Sequence, residues 1–295
     1  MTGAERGFLL LSSHLGNPER KPLTTAQLRT LADRMRHAPR FPEDRELEEM
    51  DLTALGYRRD MAERIVALLQ EEELLDRYLQ RGNRQRCTPI TRVSEGYPLI
   101  LRQRLGLDSP GCLWAKGDVS VLCTPAISLV GSRELKAENR KFAEAVGYEA
   151  AMQGLTLVSG NARGADKTAQ ESCLAAGGRV ISIVADSLVS HRERKNVLFL
   201  SEDDFEAEFS PQRALSRNRC IHALGRMVFV AQSSLQTGGT WDGTVKNLRF
   251  GWSPVACLRD GSEAMEQLEQ MGAYLIGQED LKDFGCLPES EATFF

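Results

Sequence analysis

No two of the seven cysteines (Cys87, Cys112, Cys123, Cys173, Cys220, Cys257 and Cys286) are spaced as a Cys-x-x-Cys pair, and their number is odd. This argues against a disulfide framework or a zinc site, and for a reducing compartment. Histidine is scarcer, with four residues (His14, His37, His191 and His222) and none in a metal-binding pair, so neither a metal nor another cofactor is expected. Long hydrophobic runs are missing. The apolar start, Gly7-Phe8-Leu9-Leu10-Leu11, is too short for a membrane span and lacks the basic flank and cleavage site of a signal peptide. A cytoplasmic protein with no membrane partner is expected. No Gly turn is followed by a P-loop lysine, and no Ser/His/Asp or Cys/His constellation is visible, so no catalytic residue is assigned. An excess of positive charge is also missing: the formal net charge is −4, so any nucleic-acid binding requires a local basic face.

What is present is an ordinary globular composition, 42% apolar and 26% charged over 295 residues, with room for one large or two ordinary domains. Residues 1–82 read as a helical N-terminal domain, with helices near 7–14, 26–35, 46–55 and 60–79. Thr24 or Thr25 serves as N-cap for the second. Leu52-Thr53-Ala54-Leu55-Gly56-Tyr57 is a helix–Gly turn–helix junction. It fits a plain helical bundle or a grip on a nucleic-acid backbone. Residues 83–112, rich in arginine and broken by Pro89 and Pro98, read as a linker with a short strand near 88–92. Residues 113–277 read as an α/β core, and 278–295 as a C-terminal tail, partly disordered.

The core is organised around residues 126–169. Two strand-like runs, 126–130 and 155–158, each end in a small-residue turn carrying an arginine. The turns are Gly131-Ser132-Arg133 and Ser159-Gly160-Asn161-Ala162-Arg163-Gly164. A helix-length segment follows each, near 135–153 and 166–176. Strand, Gly turn, helix, repeated, is the signature of a mostly parallel sheet with helices on both faces. Further strands are expected at 179–185, 197–200, 227–230, 255–258 and 273–276. A helix is expected at 215–224, and a third Gly turn, Thr237-Gly238-Gly239-Thr240, leads into another ending at Phe250.

The turns suit an anion. Glycine lets backbone approach a ligand, a helix start offers unpaired N–H groups and the positive end of its dipole, and arginine adds a fork of donors. The plain alternative is a set of tight strand–helix turns, with arginines held by Asp166, Asp186 or Asp242. For Trp241 and Trp252, packing is the alternative to stacking on bases.

Four motifs occur in order: Val130-Gly131-Ser132-Arg133, the Ser159–Asp166 run, Arg217-Asn218-Arg219 with Ile221 and Leu224, and Gly238-Gly239-Thr240. Together they resemble the DNA-processing protein A (DprA/Smf) family. Upstream, the 52–69 region, Tyr97-Pro98 with Leu101, and the 113–117 run resemble that family's lead-in. The resemblance implies a Rossmann-like core binding single-stranded DNA, a role in DNA uptake or recombination, loading of a RecA-type recombinase, and a homodimer. Carried over by position, Arg133, Arg163, Arg217 and Arg219 fall in the DNA- or phosphate-binding pocket. With them go Gly131, Ser132, Ser159, Gly160, Gly164, Lys167, Asn218, Gly238, Gly239 and Thr240, and Asp166 is structural support. The chain departs from the usual pattern where Ala169-Gln170 stands for an Ala-His pair, where Gln232 stands near an absent acid, and in the spelling of the third turn. It also stops before the winged helix that many members carry. These features suit a divergent branch.

The competing function is a pocket for a nucleotide or nucleotide-derived signal, sensed or hydrolysed as in phosphoribohydrolases. Those enzymes place a glutamate soon after a Gly-Gly-x-Gly-Thr loop. Here Asp242 is the only nearby carboxylate, and no glutamate follows until Glu263.

Overall fold

The computed structural model describes residues 1–38 and 46–286. The chain divides into two compact units, Met1–Tyr97 and Pro98–Phe295. The first is helical: α1 (Gly3–Ser12), α2 (Thr25–His37), α3 (Glu49–Ala54), α4 (Arg59–Leu69) and α5 (Glu72–Arg84), followed by the short strand β1 (Thr88–Thr91). Thr2 and Thr24 each close a capping box with the residue three positions on, which fixes where α1 and α2 begin. Leu23, Leu31, Leu52, Ala62, Ile65 and Leu68 form one core cluster of this unit.

The single helix expected at 60–79 is two helices, parted at Gln70-Glu71. The cause is Arg20, only 6% exposed. Its guanidinium donates to the Leu68 carbonyl and to the Glu71 carboxylate. A side chain inserted into the i→i−4 ladder interrupts it. Sequence periodicity runs across the break because Leu75 still falls on the buried face.

The second unit carries α6 (Leu99–Leu105), β2 (Cys112–Lys116), β3 (Ala126–Val130), α7 (Ala137–Met152), β4 (Thr156–Ser159), α8 (Ala165–Ala175), β5 (Arg179–Ile183) and β6 (Val197–Ser201). Then come α9 (Pro211–Ser216), α10 (Asn218–Leu224), β7 (Val228–Val230), α11 (Gly238–Phe250), β8 (Val255–Leu258), α12 (Glu263–Gln270) and β9 (Tyr274–Ile276). The helix expected at 215–224 is thus two, α9 and α10, which meet at Arg217.

Within this unit the strands stand in the order β2-β6-β5-β4-β3-β7-β8-β9. All neighbours are parallel except β2 and β6. Every residue of β3, β4, β6, β7 and β8 is buried. Strands without an exposed side need cover on both faces, which is why they read as continuous apolar runs and not as alternating ones. The α/β class with a mostly parallel sheet, expected from the sequence, is what the chain adopts.

The chain winds outward from β3 through β4, β5 and β6, then returns to place β7 on the other side of β3. Two loops therefore leave the carboxyl edge at β3 and β7 in opposite directions. Open α/β sheets hold ligands in such a crevice.

Residues 277–286 pack onto this unit. Leu281 and Phe284 are buried, and the Phe284 N–H donates to Gln153 Oε1 at 2.8 Å. Residues 287–295, the rest of the expected tail, lie outside the described residues. Among the described residues no helix is long and apolar enough to cross a membrane.

Helices α7 and α8 approach through Gly147. A Cβ at that position would lie 2.1 Å from the Ala169 carbonyl oxygen. Backbone cannot yield as a flexible side chain does, so Gly147→Ala should destabilise the protein by about 1–3 kcal/mol in urea unfolding. An unchanged midpoint would show that the helices do not depend on this contact.

Candidate anion-binding cleft

A cleft of about 560 Å³ opens at the switch point between β3 and β7. One wall is the turn after β3, Gly131-Ser132-Arg133. Another is the turn at the start of α11, Thr237 to Thr240. Arg217 and Asn218, where α9 meets α10, supply a third, and Asp166 and Ala162 border the floor. The three Gly turns seen in the sequence thus converge, although the third follows the first by more than a hundred residues.

The second turn supports the cleft from below. Gly164 has φ +87°, and a Cβ there would lie 2.4 Å from the Ser132 carbonyl oxygen. The Ala165 N–H donates to that carbonyl at 3.1 Å. The first and second turns are therefore packed backbone on backbone, and only glycine combines this φ with this approach. Gly160 has a different duty: a Cβ there would fall 1.8 Å from Arg217 Nη1. It makes room for a guanidinium.

Arg217 is 7% exposed, and its Nη1 donates to the Ile183 carbonyl at the end of β5. Its Nε has no acceptor among the described residues. Burial pulls this arginine below its ordinary pKa, while the charges of Asp166 and Asp186 pull the other way. Asp166 answers it. Burial raises its carboxyl above the usual carboxylate range, against the opposing pull of Arg217 and of N–H groups in the second turn. One of these is the Ala162 N–H, 3.1 Å from Asp166 Oδ2. Asp166 thus ties the second turn to the start of α8 and sets a negative charge beside Arg217. Asp186 is engaged by His191 at 2.9 Å, which holds its carboxyl below the usual range.

Arg133 is exposed and lines the cleft with Arg217. The other two arginines do not line it. Arg219 is turned to Glu202, at 2.7 Å, and to the Asp108 carbonyl, at 2.9 Å. Arg163 is exposed, 3.3 Å from Glu134, and Lys167 is exposed on α8. Ser159 faces the interior, where its Oγ accepts from Gln170 Nε2 at 2.6 Å. Gln170 is also 3.3 Å from Ser182 Oγ, so the amide joins β4 to β5. Asn218 Nδ2 donates to the Gly239 carbonyl at 3.1 Å and fixes α10 to the α11 turn.

Gln232 has a role that its position alone did not reveal. Its Oε1 accepts from the Lys136 N–H at 2.9 Å, and its Nε2 donates to the Glu134 carbonyl at 3.0 Å. The Ser132 N–H donates to its main-chain carbonyl at 2.9 Å. One amide thus pins the whole loop after β3. A carboxylate could accept from Lys136 but could not donate to Glu134. Helix α11 starts without a side-chain cap, and its first residues, Gly238 to Thr240, line the cleft. Asp242 is paired with Lys246 at 2.8 Å and does not line the cleft. Trp241 and Trp252 are buried. Among the described residues no group of three or more His, Cys, Asp or Glu is arranged to hold a metal ion.

The model of one family, DNA recombination-mediator protein A, matches residues 88–283. The chain belongs to this family. Relatives include the DNA processing protein DprA of Streptococcus pneumoniae, 29% identical over 192 residues, which are 60% of this chain and 68% of that protein. DprA of Bacillus subtilis is 29% identical over 176 residues, 56% of this chain and 58% of that one. The Smf protein of Escherichia coli is 26% identical over 156 residues, and the chain spans only 41% of its length. Among solved structures, DprA of S. pneumoniae matches with a TM-score of 0.68 at 23% identity, covering 95% of this chain and 98% of that one. DprA of Helicobacter pylori, described in terms of a unique single-stranded DNA binding mode, matches with a TM-score of 0.55 at 21% identity. It covers 66% of this chain and 94% of that one. The two likenesses carry the fold. The family model spans all the turns that build the cleft.

The helix behind the cleft carries a titrating group. His222 on α10 is fully buried, neither ring nitrogen has a partner among the described residues, and burial pushes its pKa down to about 3. It packs against Gly243 of α11, where a Cβ would lie 3.0 Å from its Nε2. The unfolded chain binds a proton near pH 6.5 and the folded chain does not, so this contribution is present above pH 6.5 and is lost as pH falls toward 3. Between pH 7 and pH 5 the loss should be about 2 kcal/mol, and His222→Leu should remove that part of the slope. Equal slopes in urea unfolding of the two proteins would contradict this account of His222.

Proposed function

We propose that the protein binds single-stranded DNA by its backbone phosphates at this cleft, without covalent chemistry. One observation carries the reading. Two guanidinium groups, one of them buried with an unpartnered Nε, share a cleft with two glycine-bearing turns whose amides are close at hand. Phosphate suits both kinds of donor. The exposed Arg163 and Lys167 lie outside the cleft lining and extend the path of the strand beyond it. Ser132, Gly131, Gly238, Gly239, Thr240 and Asn218 contribute amide, hydroxyl or positioning contacts. Arg219, Ser159, Gly160, Gly164 and Asp166 act as supports.

The same reading places the protein in DNA recombination or uptake in the cytoplasm. It acts as a homodimer that holds a strand for a RecA-type recombinase, with the helical residues 1–82 as a module distinct from the 113–277 core. A second reading has one observation in its favour: the cleft volume also suits a mononucleotide.

Fluorescence anisotropy of a labelled oligothymidylate against rising salt tests the proposal. Binding should weaken with salt, with a slope of about −0.7 per phosphate contact. Arg133→Ala should weaken binding roughly tenfold and reduce the slope by about 0.7, with unchanged thermal unfolding. Absent or salt-insensitive binding would overturn the reading. Calorimetric binding of nucleoside mono- or diphosphates without oligonucleotide affinity would favour the second.

A further inference from the structure

We propose that Asp166 selects the charge of the phosphate: it restricts the cleft to groups with a single negative charge, so that the site takes diesters and refuses the monoester of a free nucleotide or a phosphorylated strand end. The inference rests on the phosphate reading above and deepens it.

Among the described residues, three charged side chains line the cleft: Arg133, Arg217 and Asp166. Two positive charges against one negative leave a surplus of one, which a single phosphodiester neutralises. A phosphomonoester carries a second negative charge above about pH 6. The cost of taking an ion out of water rises with the square of its charge, so a doubly charged phosphate costs about four times as much to desolvate. Two unopposed guanidinium groups would offset much of that cost. A carboxylate between them and the ligand's second charge takes part of their field away.

Position makes Asp166 more than a brace for the second turn. It is 6% exposed and still borders the cleft. Both arginines act on its charge, Arg217 more strongly than Arg133. Its carboxylate accepts from the N–H groups of Gly160 and Ala162, the latter at 3.1 Å, so it is held in place as a ligand arrives. The neighbouring acids are engaged elsewhere: Asp186 by His191 at 2.9 Å, Glu202 by Arg219 at 2.7 Å and Glu134 by Arg163 at 3.3 Å. None of these three lines the cleft. The negative charge that a bound phosphate meets is therefore that of Asp166. Partly shielded from water, the two repel more strongly than they would in bulk solvent.

The test uses the whole protein and two competitors that displace a labelled oligothymidylate: thymidine 5′-monophosphate and its methyl ester. They share base and sugar and differ in the second charge. At pH 8 the wild-type protein should bind the ester about tenfold more tightly than the monophosphate. At pH 5 the monophosphate is singly charged, and the preference should shrink to about twofold or less. Burial raises the Asp166 carboxyl, so its own protonation on the way down acts in the same direction. The ester keeps one charge throughout, so the ratio removes titrations that affect both probes alike, such as that of His191. Asp166→Asn should lose the preference at pH 8 and still bind the ester, since an amide oxygen can accept from the Ala162 N–H. Thermal unfolding checks that this variant is folded; if it is not, the pH dependence of the wild-type ratio decides. Three results would overturn the inference: wild type binding the monophosphate as tightly as the ester at pH 8, Asp166→Asn keeping the preference, or Asp166→Asn weakening both probes equally, the mark of a purely structural role. If wild type binds oligothymidylate with the expected salt slope and shows no preference, charge selection alone fails. If it binds no oligomer, both readings fall together.

Discussion

Arg217 lies where a side chain of residue 160 would stand, with its guanidinium almost wholly out of water. Removing a charge from water costs several kcal/mol unless fixed partners replace the lost hydration. Here the replacement is partial. One carbonyl accepts from Nη1, Asp166 and Asp186 supply negative charge, and Nε is left over. Asp166 is itself buried, which raises its carboxyl above the usual carboxylate range against the pull of Arg217. The pair is balanced enough to fold and leaves donor capacity at the border of a cleft. An anion there satisfies what the protein leaves unsatisfied.

The fold supplies the setting. Because β7 returns to lie beside β3, loops separated by about a hundred residues of sequence share one crevice. Because the first and second turns are packed through Gly164, the crevice has a rigid floor. Because Gln232 bonds both Lys136 and Glu134, the loop bearing Arg133 is fixed as well. Preorganised donors lose little freedom when a ligand arrives, so binding energy is not consumed in ordering them.

Much of this architecture was legible in the chain. The runs at 126–130 and 255–258 are apolar except for Ser128 because both faces are covered, and the Gly turns mark where strands give way to helices. Other features depend on partners far away in sequence. The break between α4 and α5 is made by Arg20, some fifty residues upstream, and leaves no trace in the periodicity. The neighbours β3 and β7 are paired by topology alone. The outward turn of Arg219 could have been foreseen: two residues on from Arg217 at a helix start, it faces nearly the opposite way, and half-buried Glu202 receives it. Ser159 continues β4, so its side chain follows the strand into the interior, where Gln170 meets it.

The central claim is that a phosphate sits between Arg217, Arg133 and the two glycine turns. A crystal structure of the protein with a short oligothymidylate addresses it most directly. The account predicts a backbone phosphate within hydrogen-bond distance of both guanidinium groups and of amides in the 131–133 or 238–240 turns. A strand bound elsewhere, with Arg217 still facing an empty cleft, would contradict it.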